Sequence, residues 1–415
     1  MPYNQILQIS QPQLGSPTSI ALIPGGRNHL VAGFTGGAIV LFDSTNGNVL
    51  RSDNREDAQS TINSVAWSPN GAQIATGSTD GNVQIWNAET LQLVRTIGAD
   101  NLSIRSVAWS PDSTRVVSGS GDGHTVIWNA ADGEEIRTLG EETEDHISEE
   151  PEAGILVVAW RPNGQDIETS AENGTTYAWG VNEPPGEELL SYNGNVYEPD
   201  IMSIAYNTDG SRIAKGDIDG GLFSQNPETG LDHINMVGHI ASVNSLCWSR
   251  DNSIIVSGSS DNTVRIWNAA TGENLEVLSG HTNWVTSVAI SPDNIYIFSA
   301  SRDRTIKVWE NTRIVASKTV NKMLTNRVIS NALDQGLIRQ PGYFGPTDPG
   351  GQEYQRAEKR WMDQGGLKGG RKCKSNKKKL INKKNMKTIK KKKTNKRGMN
   401  KNKTKSKNKT KRNKN

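Results

Sequence analysis

The sequence predicts an all-β protein built from seven copies of one four-stranded unit, followed by a strongly basic tail. Three observations carry that expectation. One pattern recurs at a nearly fixed spacing along the 415 residues, the signature of a repeat architecture. Each copy alternates large apolar residues with small or polar ones, which is the period of a strand. The charges are also segregated. Residues 368–415 hold 24 Lys/Arg and no Asp/Glu, so the 23 basic groups before them face all 44 acidic ones, a net of −21.

The copies follow one another along the chain. A degenerate first copy, "SIALIPGGRNHLVAGFTGGAIVLFD", ends at Asp43. "INSVAWSPNGAQIATGSTDGNVQIWN" spans 62–87 and "IRSVAWSPDSTRVVSGSGDGHTVIWN" spans 104–129. Two weaker copies occupy 155–180 and 201–226, a strong one, "GHIASVNSLCWSRDNSIIVSGSSDNTVRIWN", occupies 238–268, and the last lies at 285–310. The closing aromatic position falls at Phe42, Trp86, Trp128, Trp179, Gln225, Trp267 and Trp309, at spacings of 44, 42, 51, 46, 42 and 42 residues. Inside a copy, "SVAWS" and "VQIW" read as strands. "SPNG" and "SPDS" read as turns in which Pro presets φ, and "TDGN" and "SDNT" read as a second tight turn. A short fourth strand such as "LQLVRTIG" (91–98) leads to the next copy.

The "SPDG"-like turns, the "SGSxD" segments, the terminal Trp, and Gly-His at 238–239 and 280–281 resemble the WD-repeat family over most of residues 1–320. The resemblance implies a seven-bladed β-propeller of four-stranded antiparallel blades, ending near residues 43, 87, 129, 180, 226, 268 and 310. The second letter of the family's dipeptide is mostly Asn here, with Asp only at 43. Two strands compete to close the ring, "NQILQIS" (4–10) and "RIVASKTV" (313–320). The first is favoured, because it precedes blade 1 as the equivalent strand precedes other blades.

His239, Ser257 and Asp261 are the residue types of a hydrolase triad. The offsets argue otherwise, because the same subtraction from Asp303 gives Ser299 and His281, and from Asp80 and Asp122 it gives Thr76 and Ser118. A catalytic site is needed once, whereas this constellation repeats. The family resemblance implies a hydrogen-bond chain within a blade, from the indole of Trp86, Trp128, Trp267 or Trp309 through Ser/Thr and His to the turn Asp. No catalytic residue, metal ligand or cofactor is expected. Blades 1 (Ala32, Gly36, Phe42) and 5 (Lys215, Asp219, Gln225) lack these groups and are expected to be softer.

Members of the family bind peptides on the face made by the turn Asp and the loops between blades. Here that implies Thr79, Gly121, Ser260 and Arg302 before the turn Asp, and Thr61, Ser103, Ser242 and Trp284 before the innermost strand. Trp284 and Arg302 share a blade and are the types enriched at binding hot spots. The insertion 140–154, with Glu142, Glu144 and Asp145, is a carboxylate-rich loop suited to basic peptides. His146 lies among these acids without any fixed ligand spacing.

Beyond 320 the repeat ends. Residues 321–366 read as an irregular linker with one short helix at 352–363, and 367–415 as a disordered Lys/Asn-rich tail. The tail resembles nuclear or nucleolar targeting sequences and suits salt-sensitive, non-specific nucleic-acid binding. It has no aromatic for base stacking. Two cysteines, Cys247 and Cys373, and an N-terminus without an apolar signal core point to an intracellular, cytoplasmic or nuclear protein that is not secreted. No apolar run is long enough to span a membrane. Two functions follow: a non-catalytic scaffold binding proteins or peptides, or a nucleic-acid-associated factor whose tail binds RNA or DNA while the repeats recruit protein.

Overall fold

The repeated "SVAW–turn–SGS–turn–VxIW" pattern folds into a repeated sheet. The computed structural model describes residues 3–25, 28–53, 60–99, 102–139, 153–183, 189–192 and 199–312. These residues form seven four-stranded antiparallel sheets, the blades of a β-propeller. Blade 2 shows the common plan. Its innermost strand Ile62–Trp67 is followed outward by Gln73–Ser78, Asn82–Asn87 and Leu93–Ala99. The linker, the tail, strand candidate 313–320 and acids Glu142, Glu144 and Asp145 lie outside the described residues.

Blade 7 takes three strands from its own repeat, Val285–Ile290, Tyr296–Ser301 and Thr305–Asn311. Its fourth and outermost strand is Tyr3–Ser10, antiparallel to Thr305–Asn311 with Tyr3 opposite Asn311 and Ser10 opposite Thr305. Lys307 Nζ donates to Gln5 Oε1 at 3.0 Å and to Gln8 Oε1 at 3.1 Å, tying the two strands side chain to side chain. The first repeat therefore cannot detach without breaking the last.

The core lies between blades as well as within them. Ile62, Val65, Trp67, Ile74 and Trp86 of blade 2 pack with Val31, Ile39 and Leu41 of blade 1. That packing requires glycine in the second strand: a Cβ on Gly258 would lie 2.5 Å from Val285 Cγ1 of the next blade.

Polar latches follow the same repeat. The Ser of "SVA" accepts the backbone N–H of the next blade's innermost strand, as in Ser19 from Val65 at 3.1 Å and Ser64 from Val107 at 3.2 Å. Ser245 accepts from Val288 at 3.1 Å, and Ser287 from Ile20 at 3.1 Å, which carries the latch across the ring closure. The Trp that closes the innermost strand bonds backwards in blades 2, 3 and 6, whereas the buried Trp160 indole of blade 4 has no hydrogen-bond partner among the described residues. The indoles of Trp67, Trp109 and Trp248 donate to Ala21, Ala66 and Ala205 of the preceding blades at 3.0–3.1 Å.

The two divergent blades are held by other means. In blade 1, Ala32 and Phe42 are fully buried and pack with Phe298, Ile306 and Val308 of blade 7. In blade 5, Lys215 is buried and forms an ion pair with Glu168 of blade 4. Tyr206 replaces the latch Trp and donates its hydroxyl to Glu168 Oε2 at 2.9 Å, while Lys215 Nζ lies 3.2 Å from Thr176 Oγ1.

Candidate functional site

The polar column in blades 6 and 7 has triad geometry without triad chemistry. His239 Nδ1 lies 2.7 Å from Asp261 Oδ2, and its Nε2 lies 2.8 Å from Ser257 Oγ. The indole of Trp267 donates to the same Oγ at 2.8 Å. Blade 7 repeats this with His281, Asp303, Ser299 and Trp309 at 2.7, 2.7 and 2.9 Å. Because the indole can only donate, the serine oxygen accepts from it and gives its own proton to Nε2, leaving Nδ1–H for the aspartate. Ser257 and Ser299 are both 0% exposed. A nucleophile whose oxygen is sealed from solvent and already holds an N–H cannot approach a substrate.

The protonation states follow from this packing. Burial pushes the Asp261 carboxyl up, but hydrogen bonds from His239 and Thr263 outweigh it and hold the group well below the usual carboxylate range. Asp303 is lowered in the same way, burial being outweighed by hydrogen bonds from Thr305 and His281. Burial lowers His281 below its ordinary value, and the neighbouring Asp303 only partly offsets this. A protonated His281 has no lone pair for Ser299.

The folded state therefore binds fewer protons than the unfolded chain, so stability rises with pH in this window. The His281 contribution is complete above the ordinary value of 6.5 and is lost as pH falls through the lower folded value. The aspartate contributions are complete above 3.8 and are lost as pH falls through their own lowered values. Urea midpoints between pH 7.5 and 4.5 should fall for the native protein and fall less steeply for His281→Gln. Equal slopes would disprove the protonation argument.

The blades without a histidine at the position of His239 divide the expected network. Trp86 still bonds Thr76 at 3.0 Å, Trp128 bonds Ser118 at 2.8 Å and Trp179 bonds Thr169 at 2.9 Å. Asp80 and Asp122 do not join them, because blades 2 and 3 have no histidine at the position of His239; the His124 ring, 3.3 Å from Asp122, belongs to the turn itself. Asp80 instead accepts from Ser78 and from Ser60, the latter at 2.9 Å, and Asp122 accepts from Ser120.

On the face at the turn aspartates, the structure bonds these eight residues to one another in pairs through the backbone. Thr79 N–H donates to Thr61 O, Gly121 to Ser103 O, Ser260 to Ser242 O and Arg302 to Trp284 O, all at 2.9 Å. The side chains divide into two groups. Thr61 Oγ1 is committed to Thr35 O at 3.0 Å, and Ser103 Oγ accepts from Asn63 at 3.0 Å. Ser242, Ser260, Trp284 and Arg302 instead come together around one pocket of about 430 Å³, with Met202, Ile218, Asn244 and Thr286. This volume falls in the range of ligand-sized clefts. Trp284 is 45% exposed, and the guanidinium of Arg302 stacks over its ring at 4.3 Å.

Met202, Ile218, Asn244 and Thr286 were not legible as lining residues, because blades 5 to 7 must first be brought side by side. The Glu168–Lys215–Tyr206 cluster was also missed, although a signal existed. Glu168 occupies the position of Ala75 and Val117, and Lys215 that of Thr76 and Ser118, so opposite charges stand at core positions of adjacent repeats. Among the described residues no cluster of three His, Cys, Asp or Glu could hold a metal ion. Cys247 has its thiol pushed up to about 12 by burial, which disfavours the nucleophilic thiolate. Among the described residues no helix is long and apolar enough to cross a membrane.

The family model described as "WD domain, G-beta repeat" matches residues 52–87, 91–129, 233–268 and 272–310. The chain is also similar to the APC/C activator protein CDC20 of Saccharomyces cerevisiae, with 40% identity over 60 residues. That match covers 14% of this chain and spans 10% of the yeast protein's length.

Proposed function

We propose that this chain, a WD-repeat β-propeller, is a non-catalytic scaffold that binds a peptide segment of a partner protein in the pocket of Trp284 and Arg302. Propellers of WD repeats typically serve as protein-interaction platforms, and the chemistry must be argued from the site rather than the fold. The observation that carries the reading is a tryptophan left 45% exposed beneath a stacked arginine at the mouth of a 430 Å³ pocket. Trp and Arg are the residues on which binding energy concentrates. Sealed Ser257 and Ser299 support the non-catalytic part.

The test is affinity capture from cell extract with the native chain and Trp284→Ala side by side, each partner then purified and its affinity measured. Truncating a hot-spot Trp costs about 2 kcal/mol or more, so partners of this pocket should bind Trp284→Ala about 30-fold more weakly. Partners that bind both proteins equally would place recognition elsewhere. A second reading, a nuclear or nucleolar factor held on RNA or DNA by its tail, rests on the 24 Lys/Arg and absent acids of 368–415. A 1–366 chain included in the same experiment separates the two. Nucleic-acid retention at low salt that vanishes with the tail and ignores Trp284 belongs to the second reading.

A further inference from the structure

Resting on that reading of the pocket, we propose that its occupant is an acidic, apolar peptide segment. An aliphatic or aromatic side chain sits among Met202, Ile218 and Trp284, and an Asp or Glu carboxylate lies on the guanidinium of Arg302. The pocket's apolar surface is supplied by Met202, Ile218 and the Trp284 ring, the last two 44% and 45% exposed. Its polar groups are satisfied internally. Ser242 Oγ donates to Asn244 Oδ1 at 3.0 Å, Asn244 Nδ2 donates to Ser260 Oγ at 3.0 Å and Val285 O at 2.8 Å, and Thr286 Oγ1 donates to Pro17 O at 2.9 Å. The floor therefore asks little of a ligand.

The unspent polar capacity is at Arg302. One face of its guanidinium lies on Trp284, and among the described residues it has no ion pair and no side-chain hydrogen bond. The N–H edge remains, and it matches a carboxylate in a two-point fork. The turn around it offers no internal partner. Arg302 and Arg304 are exposed, while the Asp303 carboxylate between them is committed to His281 at 2.7 Å and Thr305 at 2.6 Å.

The opposite side of the pocket carries the other sign. Asp219 follows Ile218, and Asp200, raised first by its own burial, is raised further by Glu172 and Asp219. The field therefore directs the acidic end of a segment to blade 7. It also selects a carboxylate over a phosphate. A dianion would meet a single lining guanidinium, whereas phosphate recognition draws on clustered arginines.

The test pans random peptides displayed on phage against the full-length chain, with Trp284→Ala and Arg302→Gln as parallel baits. The recovered sequences should place Asp or Glu within a few residues of Leu, Ile, Phe or Met. A synthetic copy should lose about tenfold or more in affinity on Arg302→Gln, lose as much when its acid becomes Lys, and weaken as salt rises. Matching urea midpoints for bait and native chain exclude misfolding.

Sequences that require Trp284 yet carry Lys or Arg in place of the acid would overturn the acidic assignment and leave the pocket reading standing. Sequences that bind Trp284→Ala equally well, or no enrichment at all, would overturn both. A phosphoserine version that binds more than about tenfold tighter would replace the carboxylate by a phosphate and overturn the proposal.

Discussion

Lys215→Met is expected to lower the unfolding free energy by about 3–5 kcal/mol, the usual cost of stripping one partner from a buried ion pair. The side chains of Lys215 and Glu168 are 3% and 5% exposed, so water cannot replace the lost ammonium. Among the described residues Glu168 would keep only the Tyr206 hydroxyl, which burial and the adjacent carboxylate raise far above its ordinary value, so it stays a donor at every working pH. Thr176 Oγ1 would lose its partner as well. Replacing the cluster as a whole should behave differently. The triple variant Glu168→Leu, Lys215→Met, Tyr206→Phe leaves no charge stranded and should regain most of the loss, as buried pairs exchanged for apolar groups often do. Urea unfolding followed by Trp fluorescence checks both. A single variant as stable as the native chain, or a triple no better than the single, would show that the pair does not hold the seam between blades 4 and 5.

That cluster marks the limit of what the sequence disclosed. The seven copies, their turns and their strand order are local properties, each written within about 42 residues and repeated, so periodicity was enough to read them. The positions 61, 79, 103, 121, 242, 260, 284 and 302 were named singly; that each stands 18 residues from a backbone hydrogen-bond partner emerges only from the folded sheets. What crosses blades was not legible. Met202 and Ile218 meet Trp284 only after the ring has closed, and no offset within a repeat encodes that. The network was half legible: Asp80 stands at the same offset as Asp261, yet without a histidine its carboxylate turns to Ser78 and Ser60. Offset predicts place, but the bond needs every member of the chain to be present. Residues 140–152, whose acids gave the basic-peptide reading, lie outside the described residues.

The half-legible network leads to a comparison that separates geometry from repeat position. Ser257→Ala in blade 6 should cost about 2–6 kcal/mol, because it strands two buried groups at roughly 1–3 kcal/mol each. These are Trp267 Nε1 and His239 Nε2, and both lose the same oxygen. Ser118→Ala in blade 3 removes the equivalent oxygen but strands only the Trp128 indole, so it should cost about 1–3 kcal/mol. The two serines are 0% and 1% exposed and pair with a Trp ten residues on, so burial and secondary structure do not distinguish them. Only the histidine does. Removing it should therefore cancel the difference: in a His239→Leu background, Ser257→Ala should fall to the blade 3 cost. Persistence of the larger loss there would mean that blade 6 depends on the serine for some reason other than the imidazole. No rate is expected to change alongside, since the oxygen that a hydrolase would use as its nucleophile is here the bond that fixes a tryptophan to the sheet.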